Sequence, residues 1–422
     1  MPRFATTFLA SFLLVLLVLL AGAFCVAAEP PATISLPPLS LAAARAALLA
    51  GRGPRAAYEA LLEDADRALR AGPYSVVDKQ KTPPSGDKHD YMSVGPYRWP
   101  DPASPNGLPW IVRDGKTNPE SRGEGYDSAR LGRMSYAVST LALAWYLGGN
   151  DAYADRAAVL LRAWFLDPAT RMNPDFDYAQ GVPGGARGTK SGIIDSRLFI
   201  PVVDAARLLA GSSFWTPEDE AGLRAWFSAF LDWLLDSPLG REEAEATNNH
   251  GMWYDAQVAA MALYTGRTDV ARRVLGTSAP ERLAAQIAPD GSLPLELSRT
   301  KSLRYTLFTL QAAFALADMG RSVGVDLWHF HTPDGRSLRE AFDYVASWAG
   351  NPASWPYSEI VPVDPKAFVS LFLCAAQGFG DPGLASGIAL IDPDDWRTDR
   401  GRLLYFPPDK APPERRRAIP AP

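Results

Sequence analysis

Tyr264-Thr265-Gly266-Arg267-Thr268-Asp269 repeats the pattern of Tyr146-Leu147-Gly148-Gly149-Asn150-Asp151: an aromatic residue closes one apolar run, glycine follows two positions on, and an aspartate opens the next run. Glycine ends helices readily and an acid suits a first turn, so each stretch reads as the link between two helices. The same link twice implies a recurring helix pair. Around these links the apolar residues keep helical spacing. Thr216-Pro217-Glu218-Asp219 supplies a capping threonine, a proline and acids for a first turn, and Leu223, Trp226, Phe227, Phe230, Leu231 and Leu234 then share one face. Similar patterns span residues 128–147, 151–165, 193–209, 252–264, 269–287, 303–319, 338–348 and 367–376, separated by short turns rich in Gly, Asn, Asp and Pro. The fold class is all-α. Hairpins in series can extend as a solenoid or close into a toroid whose inner helices line a groove, and the abundance of tryptophan and tyrosine favours a sugar-binding groove.

One segment resists the helical reading. From Tyr74 to Glu124 the chain runs through Lys88-His89-Asp90-Tyr91, Tyr97-Arg98-Trp99-Pro100-Asp101, Arg113-Asp114-Gly115 and Asn118-Pro119-Glu120. Its prolines and glycines forbid long regular elements, while its Tyr and Trp content argues against disorder. An ordered loop lying over the groove is expected.

The ends and the composition set further bounds. Arg3 precedes an apolar run from Phe8 to Val26 that closes on Val26-Ala27-Ala28, so residues 1–28 read as a signal peptide and the location as periplasmic or secreted. An uncleaved membrane anchor is the other reading of that run, and cleavage leaves no stable membrane association. Residues 29–400 form the expected domain, and 401–422, with Arg415-Arg416-Arg417 among prolines, a solvated tail. Of the two cysteines, Cys25 leaves with the signal, so Cys374 has no intrachain partner and reads as a buried hydrophobe. The four histidines show no metal-ligand spacing, and no cofactor is expected. A net charge of −5 without a basic run in the body argues against a nucleic-acid partner. An acidic substrate would be held by a local cluster of Arg and Lys.

Thr247-Asn248-Asn249-His250-Gly251-Met252-Trp253 and Ser298-Arg299-Thr300-Lys301-Ser302-Leu303-Arg304-Tyr305 carry the chemistry: an amide, an imidazole, guanidinium groups and a phenol. With the loop motifs quoted above, in this order and over roughly residues 74–350, the chain resembles the alginate lyase superfamily of polysaccharide lyases. The resemblance implies an incomplete (α/α) toroid of helical hairpins and metal-independent β-elimination on a uronate polymer such as alginate, polymannuronate or glucuronan. It places Asn249 and His250 on the family's Asn-His pair, Tyr305 on its catalytic tyrosine and Arg299 on the arginine before that tyrosine, with Arg304 competing for the last role. Lys88, His89, Tyr91, Trp99, Asn248, Trp253 and Arg304 are the expected substrate contacts.

The bare chemistry agrees. Removing the hydrogen on carbon 5 of a uronate requires donors that neutralise charge spreading into the carboxylate, a task Asn249 and His250 suit. Cations beside Tyr305 would favour its phenolate, which could take that proton and return it to the glycosidic oxygen. In mannuronate and glucuronate both groups lie on one side, so Tyr305 alone suffices and these polymers are the expected preference. In guluronate they lie on opposite sides, and a second residue, His250, must be the base. Each residue also has a plain structural reading: His250 as a cap, Tyr305 as a core aromatic, the arginines as a solvated face. Two other functions compete. A toroidal glycoside hydrolase would need two facing carboxylates, from Asp195, Asp255 and Glu296. A non-catalytic glycan-binding protein would use the same aromatics without chemistry.

Overall fold

The computed structural model describes residues 29–408, so the expected signal segment and the Arg415–Arg417 tail lie outside the described residues. From Pro31 to Pro408 the described residues pack as one compact unit. Among the described residues no helix is long and apolar enough to cross a membrane.

The fold is the incomplete (α/α) toroid, built of hairpins. Helices α1 (Pro38–Leu49) and α2 (Arg55–Ala68) precede the long loop, and α3 (Ser128–Gly148) and α4 (Asp151–Leu161) follow it. Then come α5 (Ile200–Leu208), α6 (Pro217–Asp236), α7 (Pro238–Ala244), α8 (Asn249–Thr265), α9 (Thr268–Arg273), α10 (Ala279–Gln286), α11 (Pro294–Leu297), α12 (Ser302–Ser322), α13 (Leu338–Ala346) and α14 (Val369–Gly378). Helix α3 packs on α2, α4 and α5, and α8 on α6, α9 and α12. The repeated link behaves as its glycines dictate. Gly149 after α3 and Gly266 after α8 take φ of +74° and +81°, a left-handed turn that lets the next helix fold back. In the first link the left-handed residue is the second glycine, because Gly148 still belongs to the helix.

Helix α6 starts at the capping box expected for it: the Thr216 hydroxyl accepts from the Asp219 N–H at 3.2 Å, and Asp219 accepts from the Thr216 N–H at 2.9 Å. Its apolar face enters an aromatic core in which Phe199, Trp226, Phe227 and Phe230 meet largely edge to face. The single helix expected over 269–287 is instead α9 and α10 joined by a wide π turn at Val274–Ser278. Pro280 explains the break, since it has no N–H to offer the Gly276 carbonyl. The run expected over 193–209 begins as a 3₁₀ segment, Lys190–Phe199, and becomes helical only at α5. At the far end the packed body runs past residue 400. Leu403 is fully buried, and Arg400 reaches Asp64 at 3.0 Å.

The long loop is ordered by two short sheets. Strand β1 (Met92–Val94) pairs in parallel with β4 (Tyr178–Gly181), and β2 (Arg98–Trp99) antiparallel with β3 (Ile111–Val112). Buried Lys79 and Asp127 hold its two ends together at 3.1 Å.

Candidate active site

A cavity of about 600 Å³ opens between the long loop, from Val94 to Arg98 and again at Arg122, the 3₁₀ segment before α5, the first turn of α8, and Arg299 with the start of α12. Helix starts deliver the key side chains. Asn248 caps α8 by accepting the His250 N–H at 3.2 Å, which puts Asn249 and His250 in the first turn. The link from α7 is pinned by Arg282, which donates to the Ala246 and Ala244 carbonyls at 2.6 and 2.9 Å and pairs with buried Asp255 at 2.6 Å. Gly251 is required there, because a Cβ would strike the Arg282 guanidinium and the Ala246 carbonyl.

His250 lines the cavity, and its Nδ1 lies 2.6 Å from the carboxylate of Glu243 on α7. Asn249 is placed differently from expectation. It is fully buried, and its N–H and Nδ2 both donate to Glu296 of α11, at 2.7 Å and at 2.9 and 3.1 Å. Its Oδ1 is buried without a partner. Burial raises the Glu296 carboxyl's pKa, and the donors from Asn249 oppose that rise.

Tyr305, one turn into α12, donates its phenolic hydrogen to the Tyr97 hydroxyl of the loop at 3.0 Å. Arg299 lies over the Tyr305 ring, 4.0 Å from its centroid, and Lys301 lies 5.1 Å from that of Tyr97. The expectation that these cations make Tyr305 a phenolate does not hold. Burial drives its pKa up, the hydrogen bond to Tyr97 adds to this, and Arg299 offsets only part, so the free site holds a protonated phenol. Arg299 is itself tied to the loop at 2.6 Å by Asp114, which also accepts from the Thr300 hydroxyl at 2.9 Å. Partial burial pushes the Asp114 carboxyl up, but the bonds from Arg299 and Thr300 win and bring it to about 2.

Other cations in the cavity wall are unpaired. Arg98, Arg122, Arg197 and Arg304 line it, and none forms an ion pair among the described residues. Arg197 is the most enclosed. Burial lowers its pKa, and its guanidinium has the Ile194 carbonyl at 2.9 Å and the Phe308 ring at 5.2 Å.

Asn249, His250, Arg299, Arg304 and Tyr305 are thus brought together. The remaining expected contacts lie outside the cavity wall and are engaged within the protein. Lys88 donates to the Lys79 carbonyl, His89 meets the Arg171 carbonyl at 2.6 Å, and Trp99 donates to the Lys116 carbonyl at 2.8 Å. Tyr91 is fully buried, stacked on Phe176 and bonded to Asp195 at 3.0 Å; Asn248 is the helix cap; Trp253 packs on Phe308 at 4.9 Å. Tyr97, Glu243, Arg122 and Arg197 were not expected as site residues. Tyr97 stood in a quoted motif, and the others carry no local signal. Among the hydrolase carboxylates only Asp195 lines the cavity, where it accepts from Tyr91, Ser93 and Gln180, while Asp255 and Glu296 are tied to Arg282 and Asn249. Among the described residues no group of three or more His, Cys, Asp or Glu is placed to hold a metal ion.

Comparison with known proteins follows this geometry. The sequence profile described as alginate lyase matches residues 75–355. No curated protein matches the chain. The crystal structure of an alginate lyase from Bacteroides ovatus is 39% identical, with a TM-score of 0.84 over 89% of this chain and 99% of that one. An alginate lyase from a Sphingomonas species is 14% identical, with a TM-score of 0.51 over 88% and 99%, and supports the fold alone.

Proposed function

Because the chain belongs to the alginate lyase family, whose profile covers most of its length, we propose that it cleaves alginate by β-elimination without a metal ion, using Tyr305 and His250 for proton transfer. The observation that carries this reading is the set of unpaired arginines around a phenol pair and a carboxylate-backed imidazole. Arg98, Arg122, Arg197 and Arg304 gather positive charge at one cavity with no ion pair to any of them among the described residues, and a polyuronate brings one carboxylate per sugar to such a surface. Arg299, fixed by Asp114 against the Tyr305 ring, is better placed than exposed Arg304 to act on the phenol.

The reaction needs a base at carbon 5, donors for the carboxylate and an acid at the leaving oxygen. Tyr305, protonated in the free site, is ready as the acid. For mannuronate it must first release its proton, and the Tyr97 hydroxyl that accepts its hydrogen bond offers the route out. Asn249, enclosed against Glu296, acts here by holding the α8 start in place rather than by facing solvent. Residues 1–28 fit export to the periplasm or beyond, where a polymer can be met.

Purified protein incubated with polymannuronate, polyguluronate and glucuronan tests this. Elimination generates the ultraviolet absorbance of an unsaturated uronate, and chelator should leave the rate unchanged. New reducing ends without absorbance would mean hydrolysis, and binding without either would mean a glycan-binding protein.

A further inference from the structure

We propose that Glu243 is a positioning residue that fixes His250 as the base for guluronate linkages. The inference rests on the lyase reading above and concerns which linkages that site can break. Glu243 does not line the cavity; its side chain is 1% exposed, and one of its oxygens meets His250 Nδ1 at 2.6 Å. Its other oxygen is buried without a partner among the described residues, so the imidazole is what the structure gives this carboxylate to bind. A carboxylate only accepts, and the hydrogen it accepts must sit on Nδ1. Nε2 is then the ring nitrogen with a free lone pair in the neutral imidazole. The geometry is rigid, because Arg282 holds both the α7 end and the link to α8.

Tyr305 and His250 reach the same cavity from different helices, one offering a phenolic hydrogen and the other, as the neutral ring, a lone pair on Nε2. These are the states needed to break a guluronate linkage, whose two reacting groups lie on opposite sides. His250 Nε2 takes the carbon-5 proton, that electron pair forms the C4–C5 double bond, the C4–O4 bond breaks, and the departing oxygen takes the proton of Tyr305. The imidazolium and phenolate left behind are restored by proton exchange with water. For mannuronate Tyr305 can serve as both base and acid, so His250 is not needed as the base and the placement of its hydrogen matters less. Loss of Glu243 should therefore separate the two substrates.

The test is Glu243→Leu, close in size and apolar, assayed by absorbance on polyguluronate and polymannuronate. The guluronate rate should fall about 10²- to 10⁴-fold, the range of a lost general base, while the mannuronate rate stays within about tenfold. Glu243→Gln, which can still accept through its carbonyl oxygen, should lie between Leu and wild type, and melting temperatures show that the variants are folded. A fall of equal size on both polymers, no fall on either, or a wild type that cleaves mannuronate but never guluronate would overturn the proposal. Nitrogen-15 spectra of histidine-labelled protein read the ring without substrate: the His250 hydrogen should sit on Nδ1 and leave it in Glu243→Leu. A wild-type ring protonated on Nε2 alone overturns the proposal whatever the rates. Failure of the lyase reading looks different, since no polyuronate would then gain absorbance with the wild-type protein.

Discussion

Tyr305 has an oxygen whose hydrogen already points at another oxygen, that of Tyr97, and an arginine against its ring. Tyr305→Phe keeps the ring under Arg299 and removes the proton, so kcat should fall about 10²- to 10⁴-fold with KM little changed. Steady-state absorbance assays decide it, and retention of more than about a tenth of wild-type kcat would exclude Tyr305 as the proton donor. Asn249→Ala should behave otherwise. It removes the donors from buried Glu296 as well as an amide from the cavity wall, so the melting temperature should fall together with turnover. At this scale the sequence was legible where chemistry sits in one short stretch, as in Asn248-Asn249-His250. It was silent where a role depends on a partner from a distant element. Nothing around Glu243 marks it as the carboxylate behind His250, and Asn249 reads as a groove donor until Glu296 is seen beside it. Tyr91 and Trp99 read as substrate contacts because aromatic content does not tell which way a ring faces.

Among the elements, the link between α7 and α8 is held by a single side chain. Arg282 bonds two carbonyls of that link and pairs with Asp255, which is 4% exposed and whose carboxyl pKa is raised by burial despite the pairing. Arg282→Met should destabilise the fold by about 3–5 kcal/mol, since it strands a buried charge, and adding Asp255→Leu should recover part of the loss. Denaturant unfolding of the single and double variants measures both. Helix existence was readable from periodicity and caps, as at Thr216, because those signals act within one turn. Interruptions were not. The π turn before Pro280 keeps the apolar spacing on both sides, so the pattern reads as one helix. The 3₁₀ start before α5 likewise keeps Ile193, Ile194 and Phe199 buried while changing the rise that brings Asp195 and Arg197 to the cavity.

Over the whole molecule, burial of ionisable groups sets the response to pH. Asp318 of α12 is enclosed with Trp328 and Cys374, and burial raises its carboxyl to about 6, opposed by Arg321 and by the indole N–H bond at 3.0 Å. In the unfolded chain the same group ionises at the usual 3.8, so the folded state holds the proton more tightly. Its stabilising effect is complete below the unfolded value and is lost as pH rises through about 6. Asp318→Asn should therefore gain melting temperature relative to wild type at pH about 8, keep roughly half of that advantage at about pH 5, and lose the rest only as pH falls below the unfolded value of 3.8, as thermal melts across this range would show. The closure of the hairpins into a toroid was not decided by periodicity, which is local. The loop that completes the cavity meets the α12 side of the site through Tyr97 with Tyr305 and Asp114 with Arg299, pairs separated by 208 and 185 positions in the chain. Such contacts carry a large entropy of loop closure and form after the local helices. On dilution from denaturant, helical ellipticity should return first and catalysis later, so that the enzyme passes through a folded but idle stage whose duration measures how slowly the loop finds its place.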